Sequence, residues 1–253
     1  MPRAEPKRVI LLGALSAIGE ATARLYAGEG ASLVLAARNA ERLGQVAGDL
    51  AARGAARCLT WHVDFAAGAD AQAEIDRMAA SLDGPVDVAM IFFGALGEQR
   101  LIEKDIAQAR RLIDLNFSSA AEWCLAAANL LERQKRGTLL AVSSVAGDRG
   151  RQSNYVYGAA KAGLTTLVEG IAHRLAPSGA RAVAVKLGFV DTPMTAHIEK
   201  GGPLWARPEQ VARRLKVLAA RSRKPVVYVP AFWRWIMLVV RHVPTGIYHR
   251  TRL

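Results

Sequence analysis

Residues 7–38 read KRVILLGALSAIGEATARLYAGEGASLVLAAR. Residues 7–12 are a short apolar, β-rich run, the pattern of a buried strand. Gly13-Ala-Leu-Ser-Ala-Ile-Gly19 follows, then a helical stretch over about 18–29 and a second strand over 32–37. Strand, helix and strand are complete within about thirty residues, the size of a βαβ unit. A glycine turn between strand and helix aims backbone N–H groups and the helix dipole at one point, which suits a pyrophosphate. Gly13 permits the tight turn, Gly19 lets helix and strand approach closely, and Ser16, Ala17 and Ile18 complete the cradle. The spacing is GxxxAxG rather than GxGxxG, with Ala17 where a middle glycine would sit. Arg38 comes just after the second strand. An acid there would bind the ribose 2′-hydroxyl of NAD, whereas an arginine suits the 2′-phosphate of NADP. The expected cofactor is therefore NADP(H), helped by Ser16, with NAD(H) as the alternative if Arg38 is only a solvated charge before the helix at Asn39-Ala40-Glu41.

The same alternation continues outward. A third strand over 57–63 ends at Asp64 and Phe65, and a helix over 70–82 follows. Gly84-Pro85 turns into a fourth strand over 86–92, which runs into the loop Gly94-Ala-Leu-Gly97. A long helical segment spans about 104–133 and contains Asn116, a poor helix former that reads otherwise as a polar surface position. The fifth strand ends at Ser143-Ser144, a helix spans 154–176, and Pro177-Ser178-Gly179 stops it. A sixth strand over 181–187, a loop-rich lid over 188–202, a helix over 208–221 and a strand over 226–229 complete the body. This order predicts an α/β fold: a Rossmann-like, doubly wound parallel sheet in a single domain, residues 1–230, with an apolar and basic tail over 231–253. In such sheets ligands bind at the carboxyl ends of the strands.

Half of the 253 residues are hydrophobic, enough for a large core. The two cysteines, Cys58 and Cys124, stand at no motif spacing, which argues against a disulfide scaffold or a zinc site and suits a reducing cytoplasm. No metal site is expected. The opening MPRAEPKRVILLGA does not read as a signal peptide, because its apolar run is short and enters a glycine turn. The net charge is +12, and residues 207–253 hold eleven Lys and Arg against one acid, Glu209. A basic end on a nearly neutral body points to an anionic partner. No nucleic-acid motif accompanies the charge, so nucleic acid is not expected. Residues 231–240, AFWRWIMLVV, are too few to span a bilayer. Trp233, Trp235 and the flanking arginines suit an anionic membrane surface, at the inner face of the membrane. The alternative is that this helix packs on the body or on another subunit.

Tyr157 and Lys161 lie four apart on the predicted helix and so share a face. An ammonium beside a phenol favours the phenolate, and the expectation is a tyrosine pKa drawn below about 10. Such a tyrosine can exchange a proton near neutral pH. Ser144, on the loop after an apolar strand, is placed to bond the same substrate oxygen.

With glycine turn, Asn116, Ser144, Tyr157, Lys161, Gly188 and Thr192 in this order, the chain resembles the short-chain dehydrogenase/reductase family over about residues 8–230. The resemblance implies that Tyr157 protonates a ketone oxygen as hydride arrives from the nicotinamide, and that Ser144 holds that oxygen. It implies that Lys161 tunes the tyrosine and binds the nicotinamide ribose, and that Asn116 holds a water relaying protons to Lys161. Asp64 would contact the adenine and Thr192 the carboxamide or pyrophosphate, with Phe65, Gly94 and Val190 beside the cofactor. It also implies a homo-oligomer. The chain departs from the family pattern at Ala17, at Ile91-Phe92-Phe93-Gly94 in place of Asn-Asn-Ala-Gly, and at Leu187-Gly188 in place of Pro-Gly. VDVAMIFFGALGE, GFVDTPMTAH and the tail VYVPAFWRWIMLVVRHVPTGIYHR look like members that reduce a 2-keto sugar carried on a polyprenyl phosphate, a cell wall precursor. The expected substrate is a ketone, or the corresponding alcohol, that is lipid-linked or otherwise apolar. A soluble carbonyl or alcohol dehydrogenase and a non-catalytic dinucleotide sensor are the two other readings.

Overall fold

A computed structural model describes residues 6–251. Residues 1–5 of the basic opening and the last two residues of the predicted tail lie outside the described residues. The first half of the chain alternates strand and helix. β1 (Arg8–Leu12), α1 (Ala17–Ala27), β2 (Ser32–Ala37), α2 (Ala40–Ala52), β3 (Arg57–His62), α3 (Ala71–Ala80) and β4 (Val88–Ile91) come in order. Short helices α4 (Gln99–Ile102) and α5 (Ile106–Ile113) lead through a π-helical turn, Asp114–Ser119, into α6 (Ala120–Gln134). β5 (Thr138–Ser144), α7 (Tyr155–Leu175) and β6 (Arg181–Leu187) follow. A two-residue β7 (Phe189–Val190) pairs with β8 (Trp205–Ala206), and α8 (Pro208–Arg221), β9 (Val226–Val229), α9 (Trp233–His242) and α10 (Thr245–Tyr248) end the described chain.

Seven strands form one parallel sheet in the order β3-β2-β1-β4-β5-β6-β9. The strand order reverses between β1 and β4, which makes the crevice above their carboxyl ends the natural ligand site. The central strands β1, β2 and β4 are nearly continuous apolar, buried runs because both faces of the sheet are covered there, whereas edge strand β3 is more polar and half-exposed. Ile10, Leu12, Ala89 and Ile91 pack on one side with Trp123, Leu131, Leu164 and Val168 from α6 and α7. Val9, Leu11, Val88 and Met90 face the other side with Tyr26, Leu43, Leu50 and Leu215 from α1, α2 and α8. Helix starts are marked by side-chain caps: Ser16, Asn39 and Asp70 each accept the N–H three residues on.

Three expectations change. The segment 104–133 is not one helix; it breaks into α5, the π-helical turn and α6, and Asn116 sits in the turn, fully buried rather than on the surface. A π-helical turn misaligns the backbone bonds locally and frees Asn116 to bond a neighbouring loop. The predicted lid over 188–202 is anchored at its start, where β7 pairs with β8. The tail helix α9 lays one face on the body: Trp233 and Met237 are 4% and 2% exposed and pack with Val145, Phe189 and Tyr228. Its opposite face keeps Trp235 and Val239 exposed at 62% and 67%. Among the described residues, no helix is long and apolar enough to cross a membrane.

Candidate active site

A cleft of about 510 Å³ opens at the carboxyl ends of β1, β4, β5 and β6. Ser16, Ala17, Ile18, Arg38, Gly94, Asn116, Ser144, Tyr157, Lys161, Val190 and Thr192 all line it. Four predicted contacts do not. Gly13 and Gly19 build the turn from behind: a Cβ on Gly13 would sit 2.6 Å from the Phe93 backbone nitrogen, and one on Gly19 2.9 Å from the Ala14 carbonyl oxygen. Asp64 is exposed and its carboxylate accepts the Ala66 N–H at 2.9 Å. Phe65 turns its ring into the core, stacked on Phe93 at 4.1 Å and edge-on to Trp123. The cause is Phe93 itself: a large ring just before Gly94 offers Phe65 an apolar partner.

Ser144 ends β5, and Tyr157 and Lys161 rise from the first two turns of α7. Gly147 and Gly158 let the loop after β5 lie directly on α7, since a Cβ on either would meet backbone at 2.7 Å. Ser143 points its hydroxyl back into α7, bonding Thr165 Oγ1 at 2.7 Å and the Lys161 carbonyl at 3.0 Å. Ser144 Oγ accepts the Ala146 N–H at 3.1 Å and stands beside the Tyr157 phenol, which leaves its hydroxyl on the cleft side. Lys161 is 3% exposed, and its Nζ donates to the Val142 carbonyl at 3.1 Å. The ammonium lies 5.8 Å from the centre of the Tyr157 ring. Asn116 is tied to the Gly94 loop: Nδ2 donates to the Ala95 and Leu112 carbonyls, each at 2.9 Å, and Oδ1 accepts the Ala95 N–H at 3.2 Å. Gly94 is required by this packing, because a Cβ there would stand 2.6 Å from Asn116 Oδ1.

The titration of the pair differs from expectation. Burial pushes the Tyr157 phenol up to about 12, and the Ser144 hydroxyl pulls more weakly the other way. Burial likewise draws Lys161 down to about 8. Desolvation is the largest cause at both groups: Lys161 is buried and Tyr157 half-buried, so the charged form of each is disfavoured. The phenol is therefore protonated at neutral pH, the form that a proton donor needs.

The residues present fit a dinucleotide. Ser16 Oγ satisfies the Gly19 N–H, while the Ala17 and Ile18 N–H groups have no partner among the described residues and face the cleft end. Arg38 is exposed and unpaired among the described residues. Lys161 has two ammonium protons left after its bond to Val142. Together these offer backbone donors, one guanidinium and one ammonium along a single wall. Arg151, Asn154, Phe189 and Met194 also line the cleft, although the sequence reading passed them over. Arg151 and Asn154 stand on a loop, Phe189 on the two-residue β7 and Met194 in a single 3-10 turn, all too short for a periodicity that announces which side chain turns inward.

The short chain dehydrogenase family matches this chain over residues 7–202. An uncharacterized oxidoreductase of Mycobacterium tuberculosis (strain H37Rv) is 36% identical, with 96% of each chain covered. Another from Streptomyces coelicolor is 35% identical over 97% of this chain and 96% of that protein. Among solved structures, a short-chain type dehydrogenase/reductase from Mycobacterium marinum superposes with a TM-score of 0.76 at 27% identity, over 84% of this chain and 88% of that one.

Proposed function

The chain belongs to the short-chain dehydrogenase/reductase family and is an NAD(P)-dependent oxidoreductase; from that premise we propose that it reduces a ketone to a secondary alcohol with Tyr157 as proton donor. The observation that carries this reading is the convergence of a protonated phenol, a serine hydroxyl beside it and a buried ammonium on one cleft. Ser144 donates a hydrogen bond to the ketone oxygen and orients it. Tyr157 transfers its proton to that oxygen as negative charge develops there. Lys161, held by the Val142 carbonyl, stabilises the phenolate left behind and keeps two protons for a ribose. Asn116 holds the Gly94 loop in place beside Lys161. The bound cofactor supplies the hydride to the carbonyl carbon. The Phe92, Phe93 and Leu96 wall excludes water from the reacting atoms.

The cofactor we assign is NADPH, because Arg38, just after β2, is exposed and has no side-chain partner among the described residues. Charge-assisted bonds to a phosphate contribute about 1.5–3 kcal/mol. Arg38→Ala is therefore expected to lower the preference for NADPH over NADH at least about tenfold in kcat/KM. An unchanged ratio would return Arg38 to the role of a solvated charge and NADH to that of cofactor.

The narrower substrate reading is a ketone on a lipid carrier, as in the reductase subunit of decaprenylphosphoryl-ribose 2′-epimerase, which the chain resembles in its Phe92-Phe93 loop and tail. It is supported by the apolar cleft wall and by the outer face of α9, where Trp235, Leu238 and Val239 are exposed beside Arg234 and Arg241. Such a face suits an anionic membrane surface. Removing the whole tail would expose its buried face, so the test uses the outer face alone. Trp235→Ser with Leu238→Ser and Val239→Ser is expected to abolish flotation with phosphatidylglycerol vesicles. A parent protein that does not float with them, or a variant that floats equally, ends the membrane reading and leaves a soluble carbonyl reductase.

A further inference from the structure

The cleft lining holds three cationic side chains, Arg38, Arg151 and Lys161, and no Asp or Glu. Arg38 belongs to the nucleotide end and Lys161 to the phenol. Arg151 has no part in the reaction derived above, and the fold gives it none. It ends a loop after β5 whose other charged members are engaged. Asp148 pairs with the Lys186 ammonium and accepts the Tyr228 hydroxyl at 2.8 Å. Arg149 donates to the Val243 carbonyl at 2.7 Å and lies 3.7 Å over the Tyr248 ring. These contacts clamp the loop to the tail. Arg151 donates no hydrogen bond among the described residues, and its Nε is buried without a partner.

A second unpartnered atom stands beside it. Asn154, whose N–H donates to the Arg151 carbonyl at 3.1 Å, buries its side-chain oxygen Oδ1 with no hydrogen bond. Both residues line the cleft that contains Tyr157, which lies one helical turn beyond Asn154. A buried polar group left without a partner is destabilising, and a charged one more so. Burial also draws the Arg151 pKa below the ordinary arginine value, by more than Tyr248 and Asp148 raise it. An unmet donor and an unmet acceptor in one cleft lining describe a ligand that carries the reverse pair.

We propose that Arg151 and Asn154 form a substrate subsite for a phosphate oxyanion, with the guanidinium donating to the phosphate and Asn154 Oδ1 accepting from a neighbouring substrate hydroxyl. The subsite rests on the reductase reading, because it holds the ketone that Tyr157 protonates. It makes the substrate an anionic hydroxy-ketone rather than a neutral one. A planar guanidinium engages two phosphate oxygens at once, which a lysine cannot match. The phosphate can belong to a water-soluble ketose phosphate or to the headgroup of a lipid carrier.

Calorimetric titration of the full-length Tyr157→Phe protein, saturated with NADPH, separates these sources without any need for turnover. One pair of probes is dihydroxyacetone phosphate against dihydroxyacetone; the other is farnesyl phosphate against farnesol in detergent. The phosphate member of at least one pair is expected to bind at least about tenfold tighter, a difference of about 1.4 kcal/mol. The pair that shows it identifies the source. Arg151→Met is expected to bring that ratio close to one, and Arg151→Lys to restore part of it. Asn154→Asp, which sets a carboxylate beside Arg151, should abolish the preference even if Arg151→Met folds poorly. Equal binding within both pairs, or a preference that survives Arg151→Met, overturns the subsite. Failure of the reductase reading shows separately, as a Tyr157→Phe protein that turns over like the parent.

Discussion

Tyr157→Phe is expected to lower kcat by about 10²–10⁴-fold, the usual share of a positioned general acid, while cofactor affinity stays within about twofold. The substitution removes one oxygen from a part-buried ring and leaves its shape intact. The groups proposed to hold the cofactor most firmly lie elsewhere in the cleft lining, at Ala17, Ile18, Arg38 and Lys161. The phenol stands at about 12 in this environment, so the parent protein carries the transferable proton across the physiological range. Steady-state kinetics with NADPH and a hydroxy-ketone, beside fluorescence titration of the cofactor, separates the two effects. Turnover retained in the variant would remove Tyr157 from the chemistry. A parent protein that binds NADPH tightly and reduces no ketone would favour a dinucleotide sensor.

The second large effect lies away from the reacting atoms. Gly188 follows β6, and its N–H donates to the Val229 carbonyl at 3.1 Å. A Cβ at this position would collide with the indole of Trp233. That ring is 4% exposed and wedged between Phe189, at 5.4 Å, and Phe232, at 6.0 Å, so it has little room to yield. Gly188→Ala therefore expels the ring, and the loss approaches that of a buried Trp→Ala substitution, about 3–5 kcal/mol. For a chain of this size that is a fall in Tm of about 10 °C. Displacing α9 also takes away the carbonyls of Val240 and Val243 that hold Arg149, so the loop carrying Arg151 loosens. A double-mutant cycle with Trp233→Ala checks the cause. If the collision is responsible, the two costs are strongly non-additive. Independent, additive losses in Tm would contradict it.

The glycine turn and the alternation of buried strands with helices were legible because they are local: residues 7–38 carry a complete βαβ unit. The order of the phenol, the ammonium and Ser144 was legible for the same reason, since one helix and one strand end position all three. Asn116 was legible from its own residue type as an anomaly of propensity, and its place in the site came from the family resemblance. The break in the helix is set by its bonds to Ala95, a residue on another loop. The sign of the tyrosine shift was misread because charge proximity can be read from spacing, whereas burial depends on the whole fold. Phe65 was assigned to the cofactor, but Phe93 draws it into the core. The tail could be seen as apolar and basic, yet which face is covered depends on Gly188, far earlier in the chain. Arg151 reads in sequence as one more surface arginine. Only the engagement of Asp148 and Arg149 elsewhere leaves it alone in the cleft.

The most direct measurement follows a label from cofactor to product. The parent protein is incubated with NADPH carrying deuterium at the transferable position and with a hydroxy-ketone phosphate, and the product is read by mass spectrometry and NMR. Deuterium on the carbinol carbon, with none formed by Tyr157→Phe in the same time, is the predicted result. NADPH consumed without label in the product, or equal labelling by the variant, would contradict a hydride-transfer reductase that uses Tyr157 as its acid.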